Sequence, residues 1–279
     1  MGKIRSLRKG IFNNKTEAKF LQAWLNCFEG EELSVDGSYG NKTADAVKRY
    51  QKKYNLQVDG KAGQQTLKHM GFRAAKDKRI VMLEIPFTKI AQANVLLENG
   101  KPYSCKKFAD EGGFDIVWNG AFFNTKNRKI VQLLIQSGVI KQWGFGYKGI
   151  AFPNDWDKAF GTHYSQVSNK PYDLEGGAPV LIDNFKVDTE SIKAFNQSIY
   201  KSKTKRNCTG ITKNSIVLFF SISNCTLENM LNEGLYQRMW HMIGNDGGGS
   251  QSCFMGGFWV ITTDGRSIPA AVGLKVISC

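Results

Sequence analysis

The chain has 279 residues, 42% apolar and 22% charged, with 29 glycines and 6 prolines, which excludes a disordered, collagenous or coiled-coil protein and supplies material for one or two cores. Its apolar stretches, such as Ile216 to Phe220, fall far short of the ~20 residues that cross a bilayer, so no membrane insertion is expected. Lys and Arg outnumber Asp and Glu by 38 to 24, and the net charge of +14 favours an anionic partner: nucleic acid, acidic lipid or an anionic cell-wall polymer. The excess is spread along the chain, so no nucleic-acid arm is expected.

Residues 1–14 read as a basic tail without the apolar segment of an export signal, which predicts synthesis in the cytoplasm. The six cysteines, at 27, 105, 208, 225, 253 and 279, form no C-x-x-C pair and are expected to be free thiols.

Two segments, VDGSYGNKT from Val35 and VDGKAGQQT from Val58, repeat V-D-G-x-x-G-x-x-T. Each predicts a turn running into a helix, with the second glycine at positive φ and Thr43 or Thr66 as the cap. Between them Ala46, Val47, Tyr50 and Tyr54 share one helical face. Upstream, Thr16 is expected to cap a helix carrying Phe20, Leu21, Trp24, Leu25 and Phe28. The prediction is a small all-α three-helix bundle over residues 15–72. The two turns around A-V-x-x-Y-Q resemble the peptidoglycan-binding domain found on many cell-wall hydrolases, and the resemblance implies wall binding.

Residues 73–78 (RAAKDK) read as a linker. From 79 to 279 short β-rich runs dominate, among them RIVMLEI, APVLID, SIVLFFSIS and AAVGLKVI, with turns at Asn99-Gly100, Asp183-Asn184 and Asp264-Gly265. Helices are fewer, chiefly between Thr226 and Met242. This predicts an α+β, mixed-sheet catalytic domain.

The most distinctive segment is IGNDGGGSQS, Ile243 to Ser252. Serial glycines let backbone amides converge on an anion, and Ser250 adds a donor. The loop lacks the Lys-Ser/Thr of a phosphate-binding Walker loop and the alternating oxygen ligands of an EF-hand. A mobile glycine turn is the plainer alternative.

WNGAFFN, EGGAPVLID, KRNCTGIT, SIVLFFSIS and the glycine loop, in that order, resemble the phosphodiester glycosidase family over residues 80–279. Asn119, Gly120, Phe122, Phe123, Gly176, Gly177, Pro179, Leu181, Arg206, Gly210, Asp246 to Ser250 and Arg266 match its motifs. The resemblance implies cleavage at the anomeric carbon of a sugar 1-phosphodiester. It casts Asp246 as base or nucleophile with Glu175 second, Asn119 orienting a hydroxyl or water, and Arg206 with Gly247, Gly248, Gly249 and Ser250 holding phosphate. Departures are SISN where the family strand ends in Asp-Gly, Asn207-Cys208-Thr209 after Arg206, and Asn245 in place of Leu.

Simpler roles remain open: a surface cation for Arg206, a solvated loop charge for Glu175, a turn former for Asn119. His69, His163 and His241 have no metal-ligand spacing, so no metal is assigned, although a divalent cation is left open as cofactor. The combined expectation is a wall-targeted hydrolase of an envelope polymer such as teichoic acid, acting after release in the manner of a phage lysin. Alternatives are a peptidoglycan hydrolase and a non-catalytic wall-binding protein.

Overall fold

The computed structural model describes residues 6–10, 13–144, 147–155 and 158–277; Cys279, expected to be a free thiol, lies outside them. Three helices come first: α1 (Lys15–Glu29), α2 (Asn41–Lys53) and α3 (Gln64–His69). Asn14, not Thr16, caps α1, its side chain accepting from the amides of Thr16 and Glu17. Positive φ falls on the first glycine of each repeated turn, Gly37 at 78° and Gly60 at 69°. The second glycines, Gly40 and Gly63, are extended N-caps without a side-chain cap bond. Thr43 and Thr66 instead accept from buried glutamines: Gln22 Nε2 donates to Thr43 and Asp36, and Gln51 Nε2 to Thr66 and Asp59. Each glutamine also accepts the amide of its positive-φ glycine, so one side chain closes each turn.

These helices do not form the predicted three-helix bundle. Helix α3 has only six residues, and α1 buries side chains around most of its circumference. One side of α1 meets α2, where Trp24 stands edge-on to Tyr50 at 5.4 Å. The other side meets β-structure: Phe20 packs against Phe220 at 5.5 Å. A Cβ on Gly256 would lie 2.8 Å from the Ala23 carbonyl. A helix too apolar for one neighbour is stabilised by two, so helices and sheets share one hydrophobic core.

The rest is a mixed α+β fold of three sheets. The first has the order β1-β12-β11-β13-β9-β10, comprising β1 (Ile80–Pro86), β9 (Val180–Asp183), β10 (Lys186–Val187), β11 (Asn207–Ile211), β12 (Ser215–Ser221) and β13 (His241–Gly244). The second, β15-β14-β3-β16-β2, contains β2 (Ile90–Leu97), β3 (Ile116–Asn119), β14 (Cys253–Met255), β15 (Phe258–Ile261) and β16 (Ala270–Val276). The third, β5-β4-β8-β6-β7, contains β4 (Leu134–Gln136), β5 (Val139–Gln142), β6 (Lys148–Pro153), β7 (Phe160–His163) and β8 (Tyr172–Gly176). Four helices complete it: α4 (Cys105–Gly112), α5 (Thr189–Ala194), α6 (Gln197–Lys201) and α7 (Leu227–Tyr236). The sheets are not of mixed direction, because every strand pairing among the described residues is antiparallel.

The unbroken apolar run of β12 follows from burial on both faces. Ile216, Leu218 and Phe220 enter the core shared with the helices, while Val217 and Phe219 enter a second core with Leu227 and Met230 of α7. Residues 73–78 are pinned to this layer. Arg73 pairs with Glu84 at 2.8 Å, and the amides of Lys76 and Asp77 donate to the buried Glu233 carboxylate.

Candidate active site

The sequence motifs meet where the three sheets converge. Asn119 ends β3, Glu175 lies in β8, and the glycine loop follows β13. Gly120 is the meeting point. Its carbonyl accepts the Asp246 amide at 2.8 Å, and a Cβ on it would lie 2.4 Å from Glu175 Oε1. A larger residue there would push the Glu175 carboxyl out of its place.

Glu175 is not a solvated loop charge; it is 1% exposed. Its Oε1 accepts from Asn245 Nδ2 at 2.7 Å. Asn245 Oδ1 in turn accepts from the Thr209 hydroxyl at 2.9 Å, whose oxygen accepts from Trp118 Nε1 at 3.0 Å. Glu175 Oε2 is buried without a hydrogen-bond partner among the described residues. Burial pushes the carboxyl up to about 8, against the smaller opposing effect of Asn245.

Asp246 is partly exposed, and its Oδ1 accepts the Gly247 amide at 3.0 Å. Burial raises it to about 6, opposed by the Ser250 hydroxyl, the Gly247 amide, Arg266 and Arg206. Burial thus raises both carboxyls above their ordinary values, Glu175 further than Asp246.

Asn119 is fully engaged. Its Nδ2 donates to the Asp246 carbonyl at 2.6 Å, and its Oδ1 accepts from the Ser252 amide and from Asn207 Nδ2. It staples both ends of the glycine loop. The loop amides are also largely committed: Gly248 donates to the Lys205 carbonyl and Ser250 to the Gly247 carbonyl.

Arg206 is not a surface cation. It is 2% exposed, and its Nη2 donates to the Ile199 and Ser202 carbonyls and the Ser202 hydroxyl at the end of α6. Burial lowers its proton affinity. Its amide donates to the Ser221 hydroxyl at 2.6 Å, in the strand whose SISN ending departs from the family pattern. Lys203 and Lys205 are exposed cations on the segment whose Lys205 carbonyl accepts the Gly248 amide. Thr204, between them, pairs with Cys225, so the segment is extended and the two lysines share a face. Arg266 pairs with Asp264 over Gly249.

The histidines are dispersed. His69 bonds Tyr50, His163 bonds Ser165, and His241 pairs with Asp183. Among the described residues no group of three or more His, Cys, Asp or Glu is placed to hold a metal. Cys27, Cys105, Cys208, Cys225 and Cys253 are free thiols, and burial raises that of Cys208, which disfavours a thiolate.

Two features escape the sequence reading. One is the Trp118-Thr209-Asn245 relay to Glu175. The other is a cleft of roughly 710 Å³ between Trp143, Tyr147 and Lys148 on one side and the Gly177–Val180 segment with Phe195 on the other.

Residues 10–70 match the family model described as "Putative peptidoglycan binding domain". The fold is similar to the catalytic domain of zebrafish N-acetylglucosamine-1-phosphodiester alpha-N-acetylglucosaminidase, a structure auto-inhibited by its pro-peptide. That likeness has a TM-score of 0.56 at 15% identity and covers 70% of this chain and 76% of that one. It is also similar to a hypothetical protein from Synechocystis, with a TM-score of 0.55 at 11% identity, over 74% of this chain and 61% of that one. At these identities the likeness is one of fold. No curated protein matches the sequence.

Proposed function

We propose that the protein is a cell-wall-associated hydrolase that cleaves a sugar 1-phosphodiester in an envelope polymer of the teichoic acid kind. The observation that carries this reading is the meeting at Gly120 of the segments that bear Asp246 and Glu175, two carboxyls that burial raises to different extents. Such a difference assigns one group as base or nucleophile and the other as acid. The family match over residues 10–70 and the glycosidase-like fold support the wall association and the reaction class.

In this reading the bond from the anomeric carbon to the phosphate oxygen breaks, and its electron pair leaves on the phosphomonoester. Asp246 either takes the proton of the incoming water or bonds the anomeric carbon before water replaces it. Glu175, protonated, places no second negative charge beside Asp246 and holds a transferable proton. A phosphomonoester is a good leaving group, so modest acid help suffices. Arg206 and Asn119 are positioning residues for the loop that carries Asp246. Free thiols fit synthesis in a reducing cytoplasm, with the wall reached after release, as for a phage lysin.

A second reading, a wall-binding protein without turnover, is favoured by one observation: the amides of Gly247, Gly248 and Ser250 already donate within the protein. Mass analysis of products from purified walls, with and without teichoic acid, separates the two. Sugar phosphodiester cleavage, lowered about 10²-fold or more by Asp246→Asn, supports the hydrolase. Sedimentation without products supports the binder, and released muropeptides would point to a peptidoglycan hydrolase instead.

A further inference from the structure

We propose that the cleft beside β8 binds a neutral pyranose ring, with Trp143 and Tyr147 as its stacking faces. This deepens the hydrolase reading by naming its sugar subsite. The volume, roughly 710 Å³, lies within the ~300–1,000 Å³ of small-molecule sites.

Trp143 and Tyr147, 54% and 58% exposed, are the most exposed aromatic side chains among the described residues. Neither is loose. Tyr164 braces both, standing edge-on to Trp143 at 5.3 Å and 5.9 Å from Tyr147, while His163 stacks on Tyr147 at 24°. Such rings offer flat apolar faces suited to the C–H surface of a sugar.

The polar groups of the cleft decide the charge of the occupant. Lys148 Nζ is 2.7 Å from Asp183 Oδ2 and 3.2 Å from Asp188 Oδ2. Two carboxylates already neutralise this cation, and Glu190 adds a further negative charge to the lining. An anion gains nothing here, whereas hydroxyl groups find both donor and acceptor in the Lys148–Asp188 pair. Gly177 of the cleft wall lies two residues beyond Glu175 in the chain, and Phe195, also in the lining, stands 5.5 Å from Phe122, two residues beyond Gly120.

The test uses the full-length ¹⁵N-labelled protein and N-acetylglucosamine as the probe, read by the tryptophan indole N–H resonances, with that of Trp143 assigned from Trp143→Phe. The sugar is expected to shift the Trp143 signal saturably. Tyr147→Ala should weaken that binding at least tenfold, with the other indole signals unmoved as a check on folding. A Trp143 signal indifferent to the sugar, Tyr147→Ala binding as tightly as the parent, or displacement of the sugar by inorganic phosphate would each overturn the assignment. Because the readout is binding, it stands if phosphodiester turnover fails. Turnover without the Trp143 shift would keep the hydrolase and remove the cleft.

Discussion

Replacing Asn245 by Leu tests whether the proton affinity of Glu175 shapes catalysis. Asn245 donates to Glu175 Oε1 at 2.7 Å and is the group that opposes the burial-driven rise to about 8. A hydrogen bond to a charged group is worth ~1.5–3 kcal/mol, so its loss should raise Glu175 by about one to two units. Activity that needs Asp246 ionised and Glu175 protonated has a bell-shaped pH profile with limbs near 6 and 8. In Asn245→Leu the acid limb should stay and the alkaline limb should move to about 9–10. The variant also leaves the Thr209 hydroxyl short of its acceptor, a cost of ~1–3 kcal/mol that a melting curve would register. The assay is kcat/KM against pH on a soluble sugar phosphodiester. An alkaline limb that stays at its original pH, or moves down, would refute the role given to Glu175.

The same carboxyl makes a stability prediction. Its folded-state value is raised above the ordinary 4.5 to about 8, so the native state binds the extra proton and stability falls as pH rises through that interval. Glu175→Gln should remove this dependence and melt higher than the parent at pH 8; equal melting would refute the burial argument. Phe20→Ala should cost ~3–5 kcal/mol and lower a single cooperative transition, because Phe20 joins α1 to β12; two separate transitions would contradict a shared core.

Local chemistry was the legible part. The repeated turns, the β-rich remainder and the glycine loop each announce themselves within ten residues. The partners were not legible, because they come from distant strands. Nothing near Asp36 shows that Gln22 closes its turn, and only the strand order brings Asn245 to Glu175, 70 residues earlier. Asn245 did leave a trace, a polar residue where the resembled family carries Leu, but its meaning depends on the carboxyl it faces. Arg206 misled for a related reason: charge alone does not say that a side chain is buried against a helix end. Taken one by one, the apolar stripes of the helical segment fit a closed bundle, and the surplus apolar surface of α1 shows only against Phe220 and Gly256.

The seam between α1 and the sheets also sets how the molecule would work on a surface. An anchor on a flexible linker lets the attached body sample a broad area from one attachment point. Here the anchor-like helices are fused into the body by Phe20, Ala23 and the Gly256 turn, leaving no leash to swing. Only bonds lying at one fixed offset and orientation from the attachment point come within reach. Progress along a wall would then proceed by release and rebinding, and rate would depend on how fast the anchor lets go. An attachment that is too tight would slow such an enzyme rather than speed it.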